Sequence, residues 1–187
     1  MYFFKIDWDN RFRCRNGSTC LVTVDGTDFK IKEPKPFSPS WYSHKFKGAG
    51  LRYEVAICIQ TGWIVWINGP FKCGEWSDRR IMQEDLEMMF LPWEKYVADK
   101  GYRDGGFKAE TPDDNDPKVF KEMKASARSR HEATNKLFKD WKSLREMFRH
   151  PIHKHGNVFM AIAIITQMII KERGPPYHVN YDDKKFL

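Results

Sequence analysis

Cysteine is scarce in this sequence, and no two cysteines form a Cys-x-x-Cys pair. The four are Cys14, Cys20, Cys58 and Cys73. This pattern excludes a disulfide scaffold and fits reduced thiols better than a zinc site.

Long apolar runs are also missing. The longest covers residues 158–170, is interrupted by Thr166 and Gln167, and is too short to span a bilayer. Lys5 and Asp7 follow the first four residues closely, which is not the pattern of a secretory signal. We therefore expect a soluble intracellular domain.

The positive charge is concentrated in one part of the chain. The 187 residues are enough for one domain with a core and short for two. The formal net charge is +7, and residues 117–155 contain eleven Lys and Arg against four Asp and Glu, while the remainder has 21 of each sign. A local basic segment is typical of a protein that binds a polyanion, although a solvated lysine-rich helix face explains it equally well.

Short β-branched and aromatic runs predict the strands, and apolar residues at helical spacing predict the helices. The first predicted strand covers residues 21–24 and ends at a turn at Asp25-Gly26. Residues 53–59 and 63–67 are predicted to form an antiparallel hairpin. The last predicted strand covers residues 96–98 and ends at Asp99. The helices are one capped by Ser77 and continuing to Leu91, a long one from about Val119 to Phe148, and one from Asn157 to Ile170. Residues 103–117 are predicted to be a loop.

This order of elements predicts an α/β fold, a mixed sheet with helices packed on it. We divide the chain into an irregular lead-in of residues 1–19, one domain of residues 20–174 and a C-terminal tail of residues 175–187.

Four acidic residues occupy positions that direct their side chains. Asp25 and Asp99 end predicted strands, Asp78 is in the first turn of a helix, and Glu132 lies beside the apolar stripe of the long helix. Carboxylates that meet at one point repel each other unless a cation neutralises them, and Mg²⁺ or Mn²⁺ suits such oxygen ligands. Two ions about 3.5–4 Å apart can hold the attacking and leaving oxygens of a phosphodiester. Taken singly, each acid fits a turn, helix-dipole or surface role better, and only the pattern of four favours a cation site.

Several segments occur in an order that resembles one known family. They are Val24-Asp25-Gly26-Thr27-Asp28, Trp41-Tyr42-Ser43-His44-Lys45-Phe46-Lys47-Gly48, the stretch from Gly74 to Asp78, Ala98-Asp99-Lys100-Gly101-Tyr102, and Arg130-His131-Glu132 followed by Asn135 and Phe138. Over roughly residues 20–170 the sequence resembles the catalytic domain of PIF/Harbinger-type DDE transposases, within the DDE superfamily endonucleases. The resemblance implies an RNase H-like fold, in which a three-stranded antiparallel unit continues into a parallel strand flanked by helices.

The resemblance also implies a function and roles for individual residues. Asp25, Asp99 and Glu132 match the catalytic triad, and Asp78 matches an additional aspartate counted with the metal ligands. The implied reaction is phosphodiester hydrolysis and strand transfer on DNA with two divalent ions, Mg²⁺ or Mn²⁺, in the nucleus. A separate DNA-binding partner protein and an oligomer are compatible with this reading, and no membrane partner is expected.

Two features depart from the family pattern. Ala98 and Lys100 flank Asp99, where the family has a glycine and a small residue, and only about two dozen residues precede Asp25, where the family has a helical region. They leave open the alternative of a catalytically inactive or truncated, transposase-derived module that binds DNA or another protein.

Six basic residues are candidates for contacts with DNA. They are Lys45, Lys47, Arg128, Arg130, Lys136 and Lys139. The last four flank Glu132 on the long helix, where cations can hold phosphates of the cleaved strand. For the two lysines near residue 46, a basic loop without a ligand is an equal alternative.

Overall fold

A mixed sheet of six strands forms the centre of the fold, in a computed structural model that describes residues 6–13, 18–103 and 108–179. The strands are β1 (Cys20–Lys30), β2 (Tyr42–Ser43), β3 (Gly48–Cys58), β4 (Ile64–Lys72), β5 (Lys95–Val97) and β6 (Ala109–Glu110). The helices are α1 (Asp78–Ile81), α2 (Glu87–Met89), α3 (Lys118–Asp140), α4 (Lys142–Arg145) and α5 (His155–Arg173). A π-helical turn, Met82–Leu86, joins α1 to α2. In the described part of the chain, no helix has both the length and the apolar character needed to cross a membrane.

Antiparallel and parallel pairings meet at β1. β1 pairs antiparallel with β3, and β3 pairs antiparallel with β4 and, at its first residues, with β2. On its other edge β1 pairs in parallel with β5, which pairs in parallel with β6. The path through the sheet is therefore β2-β3-β1-β5-β6, with β4 also bonded to β3. The predicted mixed sheet flanked by helices is confirmed.

The two largest hydrophobic cores lie on opposite faces of the sheet because side chains alternate along β1 and β3. On one face Phe29 and Tyr53 pack in a core with Phe138 of α3 and Phe159 of α5. The other core holds residues from β1 and β3 with residues of the helical segment that begins at Asp78: Val22, Val24, Ala56, Cys58, Met82 and Leu86. As a result, α3 and α5 cover one face and the segment from α1 to α2 covers the other.

The predicted turn at Asp25-Gly26 is wrong, because β1 continues through these residues to Lys30. Gly26 pairs with Glu54 of β3, and a Cβ atom on Gly26 would collide with Oδ1 of Asp78. A larger residue at this position would displace the Asp78 side chain, so the glycine allows a close approach between two elements and does not form a turn.

The predicted helix from Val119 to Phe148 is wrong in its last part. α3 ends at Asp140, and Phe148 instead bonds to the chain after β1, with its N–H 2.9 Å from the Lys30 carbonyl and its carbonyl 2.9 Å from the Lys32 N–H. Phe148 is buried in the same core as Phe138, so the apolar spacing continued although the helix did not.

Two segments predicted as irregular contain structure. Trp8–Phe12 forms a 3-10 helix, in which Arg11 is buried and its Nε lies 3.0 Å from Oε1 of Glu94. The predicted loop after residue 103 contains β6. Cys20, Cys58 and Cys73 are buried, and Cys14 lies outside the described residues.

Candidate active site

One face of α3 carries polar side chains against β1. Thr23 and Asp25 are two residues apart on β1 and face the same side, and His131 and Asn135 are one helical turn apart on α3. Thr23 Oγ1 lies 2.7 Å from His131 Nδ1, and Asn135 Nδ2 donates to Asp25 Oδ2 at 3.2 Å. These two contacts fix the position of α3 along the strand that carries Asp25.

Asp25 and Asp99 occupy equivalent positions on neighbouring parallel strands. Thr23 of β1 pairs with Val97 of β5, and each aspartate is two residues further along its strand direction. Asp99 lies just beyond the end of β5 and caps a 3-10 turn, since its Oδ1 accepts from the Gly101 N–H at 2.8 Å. The expectation that the two aspartates follow neighbouring strands is met, although Asp25 lies within its strand and not at the end.

Glu132 lines the same cavity as Asp25 and Asp99, and the volume of this cavity is about 70 Å³. Its lining consists of Thr23, Val24, Asp25, Asp99, Arg128, His131 and Glu132. Glu132 is exposed on α3, and its side chain makes no hydrogen bond or ion pair with any other described residue. Three acids that are distant in the sequence therefore share one small cavity, and it has room for an ion with a few water molecules.

Burial is the largest influence on the charge of Asp25. Burial raises the pKa of Asp25 to about 6, and the carboxylates of Asp78 and Asp99 add to the rise. The ammonium group of Lys45 and the Gly26 N–H, which donates to Oδ1 at 2.8 Å, act in the opposite direction. A cation in the cavity would lower this pKa, because it favours the ionised form.

Asp78 approaches β1 from the face opposite to α3 and is not among the residues that line the cavity. Arg52 lies between two acids: its Nη1 is 3.3 Å from Asp78 Oδ1, and its Nε is 2.7 Å from Asp28 Oδ1. Ser43 Oγ also donates to Asp28, at 2.7 Å. Asp78 thus lies outside the cavity lining and pairs with an arginine, although its charge still raises the pKa of Asp25.

The candidate DNA-binding residues differ in their surroundings. Arg128 lines the cavity. Lys45 donates to the Gly26 carbonyl at 3.1 Å. The pKa of Lys139 is lowered by burial and then by the charge of Lys45, so the two lysines lie near each other. Lys47 and Lys136 are exposed and make no contact with the site among the described residues.

Arg130 is a correction to the sequence-based interpretation. Its side chain is only 2% exposed, and it donates to the carbonyls of Ile59 and Tyr177 at 2.6 and 2.7 Å. Burial lowers the pKa of its guanidinium to about 10. We therefore do not retain Arg130 as a DNA contact, because it joins α3 to the end of β3 and to the C-terminal segment.

His131 and Asn135 contact β1 at this site, although neither was among the site residues selected from the sequence. Burial lowers the pKa of His131 to about 3, and its Nε2 has no hydrogen-bond partner among the described residues. The Oδ1 atom of Asn135 is likewise buried without a partner. Both residues belong to the motif around Glu132, and their spacing of four residues indicates a common helix face.

The donors in the cavity fit a hard divalent cation. Asp25, Asp99 and Glu132 supply carboxylate oxygens, the ligands that Mg²⁺ and Mn²⁺ take, and the Nε2 atom of His131 is left without a partner. In residues 6–13, 18–103 and 108–179, no three His, Cys, Asp or Glu side chains already form a group that could hold a metal ion. The donor chemistry fits, whereas a closed ligand set is not preformed.

The family described as DDE superfamily endonuclease matches residues 24–167, more than half of the chain. The chain belongs to the DDE superfamily endonucleases. The matched region of this DDE endonuclease domain includes the cavity-lining residues from Val24 to Glu132. The family is one of transposase-type nucleases, which act on DNA and generally use divalent metal ions. Neither the curated proteins nor the solved structures provide a match.

Proposed function

We propose that this DDE endonuclease domain is a metal-dependent transposase catalytic domain that performs phosphodiester hydrolysis and strand transfer on DNA. The observation that carries the proposal is that Asp25, Asp99 and Glu132 line one cavity although they come from β1, the segment after β5, and α3. The family match supports the nuclease class. The PIF/Harbinger type is supported by the order of the sequence motifs alone.

The sheet supports an RNase H-like fold for this domain. Strands β1, β3 and β4 form an antiparallel unit, and β5 joins β1 in parallel. This is the arrangement that the resemblance implies, and it gives Asp25 an interior position in the sheet, beside the end of a shorter strand.

In the proposed site, Asp25, Asp99 and Glu132 hold divalent cations, either Mg²⁺ or Mn²⁺, and we propose two. Bound there, the cations would stabilise charge on the attacking and leaving oxygens of a phosphodiester. Gly26 and Asn135 orient Asp25, because the N–H of one and the amide of the other each bond to a different oxygen of its carboxylate. The pairing of Asp78 with Arg52 supports an indirect role for Asp78, in which it packs against Gly26.

The cations around the cavity bind the DNA backbone in this proposal. Arg128 is part of the cavity lining, whereas Lys45 and Lys139 lie on the side of Asp25 where Asn135 contacts it. Exposed cations on both sides of a reaction centre can hold the phosphates that flank the one being cleaved. Because DNA is the proposed substrate, we propose the nucleus as the location, and a DNA-binding partner protein would supply sequence recognition.

The test is nicking of supercoiled plasmid by the purified protein with Mg²⁺ or Mn²⁺, compared with Glu132→Gln and Asp25→Asn. We expect each variant to lose activity by about 100-fold or more, because metal-ion stabilisation contributes several kcal/mol and each 1.36 kcal/mol changes the rate tenfold. Glu122→Gln is the matched control, since Glu122 is exposed on the same helix and its Oε1 lies 4.0 Å from Nζ of Lys118, away from the cavity.

The outcomes separate the proposal from its alternative. Nicking that is lost in Glu132→Gln and kept in Glu122→Gln supports the catalytic domain. Salt-sensitive DNA binding without cation-dependent nicking, unchanged by Asp25→Asn, would overturn it in favour of a catalytically inactive DNA-binding module.

A further inference from the structure

His131 is a buried imidazole with one free nitrogen at the candidate active site. Its side chain is 2% exposed and lines the cavity together with Asp25, Asp99 and Glu132. One ring nitrogen, Nδ1, is 2.7 Å from Thr23 Oγ1. The other, Nε2, is buried and has no hydrogen-bond partner among the described residues. A buried polar atom without a partner requires an explanation.

The contacts of Thr23 indicate which nitrogen carries the proton. The Thr23 hydroxyl can donate to the Ile57 carbonyl at 3.5 Å, which leaves its oxygen free to accept from the Nδ1–H of His131. These two hydrogen bonds satisfy the Thr23 hydroxyl and the Nδ1–H as donors and leave a lone pair on Nε2. The other tautomer would bury an N–H donor at Nε2 without an acceptor, and buried unpaired donors are rarer than buried unpaired acceptors.

A ring held in this way has the arrangement of a metal-binding histidine. Metal-ligating histidines almost always donate their other ring N–H to a second group, which fixes the tautomer and the orientation of the ring. Here Thr23 is that group, and three carboxylates share the cavity.

We propose that His131 Nε2 is a ligand of the divalent cation in this cavity, in addition to Asp25, Asp99 and Glu132. The inference rests on the proposed function and extends it to the choice of metal. Imidazole suits transition-metal ions, whereas carboxylates and water suit Mg²⁺. The site should therefore bind Mn²⁺ more tightly than Mg²⁺, and His131 should account for part of this preference.

The test is pulsed electron paramagnetic resonance of the Mn²⁺-loaded full chain, together with calorimetric titration of Mn²⁺ and Mg²⁺. We expect a ¹⁴N coupling to Mn²⁺ in the wild type, which becomes a ¹⁵N coupling when only histidine is ¹⁵N-labelled. In His131→Asn the amide nitrogen can replace Nδ1 beside Thr23, while the atom corresponding to Nε2 is removed. This variant should lose the coupling and bind Mn²⁺ at least about tenfold more weakly, with a smaller change for Mg²⁺.

Two further variants complete the design. His153→Asn is the matched control, because His153 is exposed on a 3-10 turn outside the cavity, and it should leave both readouts unchanged. Thr23→Val keeps the branched shape and removes the group that fixes the tautomer, so Mn²⁺ affinity should fall even if His131→Asn does not fold.

Each outcome bears on one of the two proposals. Mn²⁺ that binds to the wild type without a histidine nitrogen coupling would overturn the role of His131 and leave the carboxylate site standing. A wild type that binds neither Mn²⁺ nor Mg²⁺ would overturn the proposed function, and with it the inference that rests on it.

Discussion

At the scale of single residues, Asp25 shows how this site opposes the stability of the fold. Its carboxylate is half-buried near two other acids, and its pKa is raised to about 6 from the ordinary 3.8. In the range between these values, the folded state binds more protons than the unfolded state. The free energy of unfolding therefore falls as pH rises from about 4 to 6 and stays lower above that range.

Asp25→Asn removes this destabilising charge, and the amide oxygen can still accept from Asn135. We expect the variant to be more stable than the wild type by about 1–3 kcal/mol at pH 8 without divalent cations, and nearly equal to it at pH 4. Urea denaturation in a chelator at the two pH values measures the difference, and the exposed Asp114→Asn serves as the control. A variant that is less stable than the wild type at pH 8 would contradict this account of Asp25.

Asn135 provides the second prediction at this scale. Its amide is the side-chain donor to Asp25 Oδ2, and it is 9% exposed. Asn135→Ala should weaken Mn²⁺ binding by about 10–100-fold, the usual effect of removing a group that orients a metal ligand, without changing DNA affinity in a chelator. Calorimetry and a DNA-binding titration measure the two quantities. Asn115→Ala, in an exposed loop, is the matched control, and unchanged Mn²⁺ affinity in a folded Asn135→Ala would exclude the positioning role.

At the scale of elements, the sequence predicted those ends of helices and strands that depend on neighbouring residues. Ser77 caps α1 as expected, with its Oγ accepting from the Arg80 N–H at 3.2 Å. The hairpin between β3 and β4 and the last helix were predicted with shifted ends. These features depend on capping, turn residues and apolar spacing within about a dozen neighbouring residues, which the sequence displays directly.

Boundaries set by distant partners could not be predicted in this way. Gly26 gives the signal of a turn, yet the strand continues because its residues pair with β3 as far as Lys30, with Gly26 opposite Glu54. Phe148 keeps helical spacing, yet it leaves the helix to bond beside Lys30. In both cases the deciding contact comes from a residue more than 25 positions away, and a local pattern carries no information about it.

Arg130 gives a prediction about how α3 is attached to the rest of the fold. Arg130→Met removes the donors to the Ile59 and Tyr177 carbonyls, and unpaired buried carbonyls destabilise a protein by about 1–3 kcal/mol each. We expect a loss of about 2–4 kcal/mol in the free energy of unfolding, with unchanged DNA affinity in the folded fraction. Lys136→Met, at an exposed position on the same helix, should show little change in stability. The prediction fails if the two variants are equally stable.

At the scale of the whole molecule, the fold brings together the first and the last acid of the proposed site. Asp25 and Glu132 are separated by 107 residues, and they meet because α3 crosses the face of β1 on which Thr23 and Asp25 lie. The sequence indicated which acids to consider, through the order of motifs. It could not indicate that Asp78 approaches from the other face and pairs with Arg52, because that depends on the packing of the helical segment from α1 to α2.

The distribution of charge gives the last prediction. If DNA crosses the cavity, Arg128 on one side and Lys45 and Lys139 on the other should each neutralise about one phosphate. Replacing all three by Gln should then reduce the slope of log K against log salt concentration by about 2.7, since each phosphate contact contributes about 0.9. The measurement is a salt titration of binding to a short duplex in a chelator, which prevents cleavage. The control replaces Lys118, Lys142 and Lys154, three exposed cations of the basic segment 117–155, by Gln. Both triple variants lower the formal net charge from +7 to +4. An equal change in slope would therefore mean that the overall positive field attracts DNA, and it would exclude a defined path of DNA across the cavity.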